Sequence, residues 1–243
     1  MSPPDARDRL FTALDVPSVD EARRLVASLG DAVTCYKVGL ELVFAGGLAF
    51  ASELRRAGKQ VFLDVKLLDI ANTVEKAAAN VANLDLQFLT VHGTDTKTLD
   101  AAVRGRGRSD LKLLAVTVLT SLDAADLAEQ GSHMTPVDLV LHRARLAKAA
   151  GFDGVIASGL EAAGIRASVG PGFLIVTPGI RPAGGASDDQ SRVATPAAAI
   201  AAGADHLVVG RPITQAADPR AAAQAIARQI GDAMAGLAGR GSA

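Results

Sequence analysis

The sequence predicts an α/β chain folded as one (β/α)8 barrel, a TIM barrel, and three observations carry that prediction. Eight short apolar runs, rich in Val, Leu and Ile, alternate with longer segments of helical periodicity from one end to the other. The run ends are spaced like βα units, and 243 residues suit eight such units in a single domain. The G-x-G-x-x-G turn that often follows the first strand of an open doubly wound sheet is absent, because the first run leads into Asp15-Val16-Pro17-Ser18.

The elements follow in order. LFTAL ends before Asp15, and apolar residues at three- and four-residue steps predict a helix over Val19 to Leu29. VTCYKVGL is the second strand, followed by a helix over Leu48 to Ala57. VFLDV runs into Lys66, and Asn72-Thr73-Val74-Glu75 has the form of a capping box, so the next helix is expected to start at Asn72 and to reach Leu84. LQFLTV ends before His92 and LKLLAVTVL before Thr120. The widest gap, after Leu119, has room for a short helix, a Gly-centred break and a second helix. GVIA ends before Ser158, FLIV before Thr177 and HLVV before Gly210, and a last helix covers Pro219 to Ile230. The one domain spans 1–243, with frayed tails expected at about 1–7 and 232–243.

Composition agrees with a barrel and narrows the function classes. Hydrophobic residues are 49% but aromatics only 3%, which suits alanine-rich helices on branched-aliphatic strands. Scaling by mass allows about 70% of the surface to be buried. With 25 Lys+Arg against 26 Asp+Glu, massed phosphate neutralisation is excluded, and no nucleic-acid partner is expected. Cys35 is the only cysteine, which excludes an internal disulfide and a multi-thiolate zinc site and makes a reducing, cytoplasmic setting the default. No signal segment opens the chain and no apolar stretch is long enough for a membrane span, so no membrane partner is expected.

The chemistry collects at strand ends. In FLDVKLLDIANTVEK, residues two apart in a strand share a face, so Asp64 and Lys66 are expected to point together, with Asp69 three residues on in the loop and free of capping duty. Charges at the C-terminal rim of a barrel strand mark the place where barrel enzymes keep their sites. Asp15 after strand 1 and Lys37 on strand 2 extend an alternating charge set on neighbouring strands, and Thr120 follows strand 5. His92 is assigned to packing or a supporting hydrogen bond. TPGIRP after strand 7 and VVGRPIT after strand 8 place Arg181, Gly210 and Arg211 where barrels commonly bind phosphate. The Gly-rich stretch Gly179 to Ser191 reads as an active-site lid, with a plain surface loop as the alternative. The four histidines show no ligand spacing, no flavin, nicotinamide or pyridoxal signature appears, and neither metal nor cofactor is expected.

At these residues the chain resembles the orotidine 5′-phosphate decarboxylase family, bacterial type. The matching segments are FTALDVPS, CYKVGLEL, FLDVKLLDIANTV, LTVHG, AVTVLTS, GVIAS, VTPGIRP with Gln190, and VVGRPIT. The resemblance implies a small-molecule nucleotide substrate and a homodimer. It implies Lys66 as proton donor, Asp64 beside the substrate carboxylate, Lys37 completing the array, and Asp69 and Thr73 reaching the partner's site. It further implies Asp15 and Lys37 on ribose hydroxyls, Thr120 at the pyrimidine edge, and Arg181, Gln190, Gly210 and Arg211 on phosphate. Two rivals stand beside it. Metal-dependent sugar-phosphate lyases of the same barrel group share DxKxxD and the final GR, and a catalytically silent nucleotide-binding barrel would keep the fold.

Overall fold

The computed structural model describes residues 5–182 and 193–240. Among them, eight parallel strands close into a barrel in chain order: β1 Leu10–Ala13, β2 Cys35–Gly39, β3 Gln60–Leu67, β4 Phe88–His92, β5 Lys112–Val116, β6 Gly154–Ile156, β7 Leu174–Thr177 and β8 His206–Val209. β8 returns to β1 with Phe11 beside Val208, so neither edge is left open. Among the described residues no helix is long and apolar enough to cross a membrane.

The helices surround this barrel. They are α1 Val19–Leu29, the single turn α2 Leu40–Leu42, α3 Leu48–Arg56, α4 Ala71–Ala82, α5 Thr96–Arg106, α6 Ala124–Glu129, α7 Pro136–Ala149, α8 Ala162–Val169, α9 Pro196–Ala201, α10 Arg211–Thr214 and α11 Pro219–Arg240. The expected pair after strand 5 is α6 and α7, separated by Gly131 at φ 79°. Sequence-visible caps start several of these helices: Ser18, Asp95, Thr135 and Thr195 each accept a backbone N–H three residues on, at 2.9 to 3.2 Å.

Two helix ends depart from expectation. α4 begins at Ala71 after Ile70, with no side-chain cap, so Asn72 is not its start. The carbonyl of Ile70 accepts from the amides of Thr73 and Val74, a phase that turns Val74 and Ala78 into the core. At the other end α11, expected to end at Ile230, continues to Arg240, and Ala233 and Met234 still pack on the core.

Strand alternation divides the apolar interior in two. Outward residues such as Leu10, Tyr36, Val61 and Leu89 pack under the helices, while Phe11, Cys35, Phe62, Phe88, Leu114, Val176 and Val208 fill the lumen. Phe11, Phe62 and Phe88 meet edge to face, with centroids 5.2 to 6.2 Å apart. This aromatic plug is the floor of the site.

Candidate active site

One inward step above that floor the side chains become polar. Lys37 stands two residues beyond Cys35, Asp64 two beyond Phe62, Thr90 two beyond Phe88 and Asp15 two beyond Ala13, so one strand period carries each strand from plug to site. Above them opens a cavity of about 490 Å³ lined by Asp15, Lys37, Asp64, Lys66, Thr120, Arg181, Gly210 and Arg211, all expected site residues.

The charges form a row. Lys37 Nζ donates to Asp15 Oδ1 at 2.8 Å and lies 3.5 Å from Asp64 Oδ2, and Lys66 Nζ donates to Asp64 Oδ1 at 2.9 Å. Burial alone would push the Lys37 ammonium down, but Asp64 and Asp15 outweigh it and hold Lys37 above the ordinary lysine value. Burial likewise works against the Asp64 carboxylate, and Lys37 and Lys66 outweigh it to hold Asp64 below the usual carboxylate range. Both groups are therefore charged at neutral pH. Gly39 leaves the necessary space: a Cβ there would lie 2.8 Å from both Asp15 Oδ1 and Lys37 Nζ.

Simple alternation does not account for the neighbourhood of Asp64 and Lys66. β3 pairs with β4 at Phe62–Phe88 and Leu63–Leu89 and then resumes at Leu67–Val91, so the three residues 64–66 bulge opposite Thr90. Lys66 sits at φ 48°, a left-handed conformation uncommon for a residue with a Cβ. The bulge, rather than the two-residue period, turns the ammonium back onto Asp64. Thr90, fully buried, lies in the gap: its Oγ1 accepts from the Lys66 amide and donates to Asp64 Oδ1, each at 2.9 Å.

Asp69 and Thr73 are not brought to this chain's own cavity. Both are exposed, Thr73 in the first turn of α4 and Asp69 at the β3–α4 connection, where it accepts from the Ile70 amide at 2.6 Å. Leu68 and Ile70 beside them are 56% and 71% exposed, and Phe44 is 86% exposed. Gln190 lies outside the described residues, as does most of the expected lid. The described base of that loop is tied by Ile180 bridging to Ala194, with the Arg181 amide donating to the Ala194 carbonyl at 3.0 Å. Gly179, at φ 72°, supplies the left-handed turn that this closure requires.

His92 is half-buried at the end of β4, and burial, Arg143 and Lys66 all lower its pKa. It is not among the residues that line the cavity. Among the described residues no three His, Cys, Asp or Glu side chains gather as a metal site. Sequence reasoning missed Thr90, Gly39, and the cavity-lining Glu41, Thr214 and Gln215. Glu41, four residues past Lys37 in the same segment, could have been found by following the α2 turn into the rim. Thr90 carried no such signal.

Comparison with known proteins gives a consistent result. A model of the family described as Orotidine 5′-phosphate decarboxylase / HUMPS family matches residues 8–226. The chain is 56% identical over 230 residues to an orotidine 5′-phosphate decarboxylase of Rhodopseudomonas palustris (strain BisA53), covering 95% of this chain and 97% of that protein. It is 56% identical over 229 residues to one of Methylorubrum extorquens (strain PA1), covering 94% and 98%. Among solved structures, the orotidine 5′-phosphate decarboxylase of Lactobacillus acidophilus superposes with a TM-score of 0.81 at 38% identity, covering 91% of this chain and 98% of that one.

Proposed function

The chain belongs to the orotidine 5′-phosphate decarboxylase / HUMPS family, and on that premise we propose that it is a carbon–carbon lyase that converts orotidine 5′-phosphate to UMP, the last step of de novo UMP synthesis. The observation that carries this reading is the row Lys37–Asp64–Lys66 on the wall of a cavity that Arg181 and Arg211 also line.

In the proposed reaction the C6–carboxylate bond breaks, CO2 leaves, and the electron pair stays on C6 in the ring plane, where ring resonance cannot spread it. The Lys66 ammonium stabilises that charge electrostatically and then transfers one proton to C6, and solvent reprotonates the amine. Asp64 has two tasks: it orients Lys66 through the 2.9 Å bond, and it stands beside the departing carboxylate, where repulsion is relieved as CO2 leaves. Asp15 and Lys37 hold the ribose hydroxyls and Thr120 meets the pyrimidine edge. Arg181, Gly210, Arg211 and Gln190 bind phosphate, supplying remote binding energy that lid closure spends on excluding water. No step calls for a cofactor.

We further propose a cytoplasmic homodimer in which Asp69 and Thr73 complete the partner's site. The exposure of Asp69 between the bare apolar side chains Leu68 and Ile70 supports this. Mixing Lys66→Ala with Asp69→Ala protein would then restore activity that neither variant shows alone, because one site of each mixed dimer regains both groups.

The deciding measurement is the loss of orotidine 5′-phosphate absorbance in chelator-treated buffer, run beside Lys66→Ala. Rapid turnover that the variant lacks is the expected result. Turnover that begins only when a divalent ion is added would favour the sugar-phosphate lyases. Tight UMP binding without turnover would favour the silent barrel.

A further inference from the structure

We propose that Thr90 is a positioning residue of this site, its hydroxyl setting the Asp64 carboxylate and the Lys66 ammonium relative to one another. The inference rests on the decarboxylase reading above and concerns a residue that reading does not use.

Thr90 is fully buried on β4, opposite the bulge of residues 64–66. A bulge frees backbone groups from the ladder, and a buried amide without a partner is destabilising. Here the freed amide is that of Lys66, and Thr90 Oγ1 receives it at 2.9 Å. A hydroxyl has one proton, and an amide N–H can only donate, so the proton of Thr90 is directed to its other neighbour, Asp64 Oδ1, also at 2.9 Å. Asp64 Oδ1 thus takes one donor from Thr90 and one from Lys66 Nζ, while Oδ2 turns to Lys37 at 3.5 Å.

One side chain therefore holds the backbone of the proton donor and the carboxylate that orients its ammonium. Lys66 keeps its left-handed φ of 48° only while that amide is held, and a relaxed bulge would carry Nζ away from Asp64. Misplacement of reacting groups by about 1 Å costs on the order of 100-fold in rate.

The test uses Thr90→Val, which matches threonine in shape but lacks both bonds, and Thr90→Ser, which keeps both bonds and loses the methyl. Steady-state decarboxylation is measured with UMP affinity and thermal melting for each full-length protein. Thr90→Val is expected to lower kcat about 100-fold while KM and UMP affinity move less than about threefold, and Thr90→Ser to recover most of kcat. Retention of wild-type kcat by Thr90→Val, a loss confined to KM, or a serine variant as slow as the valine one would each overturn the assignment. If Thr90→Val does not fold, Thr90→Cys, with its weak donor, takes its place under the same criteria. A wild-type protein inactive on orotidine 5′-phosphate would instead remove the reading beneath the inference.

Discussion

The lower and upper halves of the barrel lumen are built from the same strands, two residues apart, and they hold together by different physics. Below, Phe11, Phe62 and Phe88 interlock with Cys35 and Val176, contacts that gain from area and dispersion and ask little of direction. Burial there pushes the Cys35 thiol up to about 11, so it stays neutral. Above, Lys37 is as enclosed as a core residue, at 7% exposure, and remains charged only because Asp15 and Asp64 flank it. Buried ion pairs add little net stability once desolvation is counted, but removing one partner is strongly destabilising. On the proposed reaction, the contrast teaches that stability and chemistry are separated by height in this barrel: the plug holds the frame, and the row above it uses the frame's rigidity to fix an electric field.

The largest effect that could break this division is at Lys66. Lys66→Ala is expected to lower kcat by about 10,000-fold, while the melting midpoint stays within a few degrees of wild type because Asp64 keeps Lys37 and Thr90 as partners. Stopped assays on orotidine 5′-phosphate and calorimetry check both halves of that statement. A loss of less than tenfold would mean that the chemistry does not reside in the upper row.

The converse variant is Phe88→Ala in the plug. It is expected to cost about 3–5 kcal/mol of stability in urea denaturation while kcat per folded molecule changes less than about threefold. A 100-fold fall in kcat with unchanged stability would erase the distinction between the two layers.

How far the sequence revealed these layers differs between them. The barrel was legible because strand period and helix period alternate eight times, and α1 and α3 were legible because apolar residues recur at three- and four-residue steps from Val19 and from Leu48. The charged row was legible because Asp64 and Lys66 follow an apolar run with no surface-strand alternation to explain them. The bulge was not legible, because side-chain pattern records which residues are apolar and not where a register slips. Thr90 was hidden for a related reason, since threonine is an ordinary strand residue and its neighbours Leu89 and Val91 read as core. Asn72 misled because a capping-box pattern is local, whereas the start of α4 is set by burying Val74.

His206 sharpens the comparison by putting a titratable group in the lower layer. Its ring packs on Phe11 and Phe88 at 5.4 and 5.7 Å, and Nδ1 lies 3.1 Å from the Asp8 carbonyl, to which it donates as a neutral ring. Burial lowers its pKa to about 4. Because the folded value is depressed, the unfolded chain binds a proton the folded one refuses, so stability is full above the ordinary value of 6.5 and falls as pH drops towards 4. The expected loss is about 3 kcal/mol across that window. His206→Gln should shrink it, leaving the smaller fall from His92, whose pKa is also lowered, and the loss at lower pH that follows from protonating Asp64 and the other paired carboxylates. An unchanged pH profile in the variant would show that the plug does not exclude water from the ring.

The smallest expected effect lies at the rim, above both layers. If Arg211 acts on phosphate far from C6, Arg211→Ala removes a charge-assisted bond worth about 1.5–3 kcal/mol, or roughly 10- to 150-fold in kcat/KM. The chemical step should keep its dependence on Lys66 in that background. The substrate can be cut as well as the protein: on orotidine, which lacks the phosphate, wild type and Arg211→Ala should react equally slowly. That equality is the discriminating result, because an arginine that merely supports the fold would slow the nucleoside too. A further loss on orotidine would therefore move Arg211 from binding into the frame, and the rim would join the plug rather than the row.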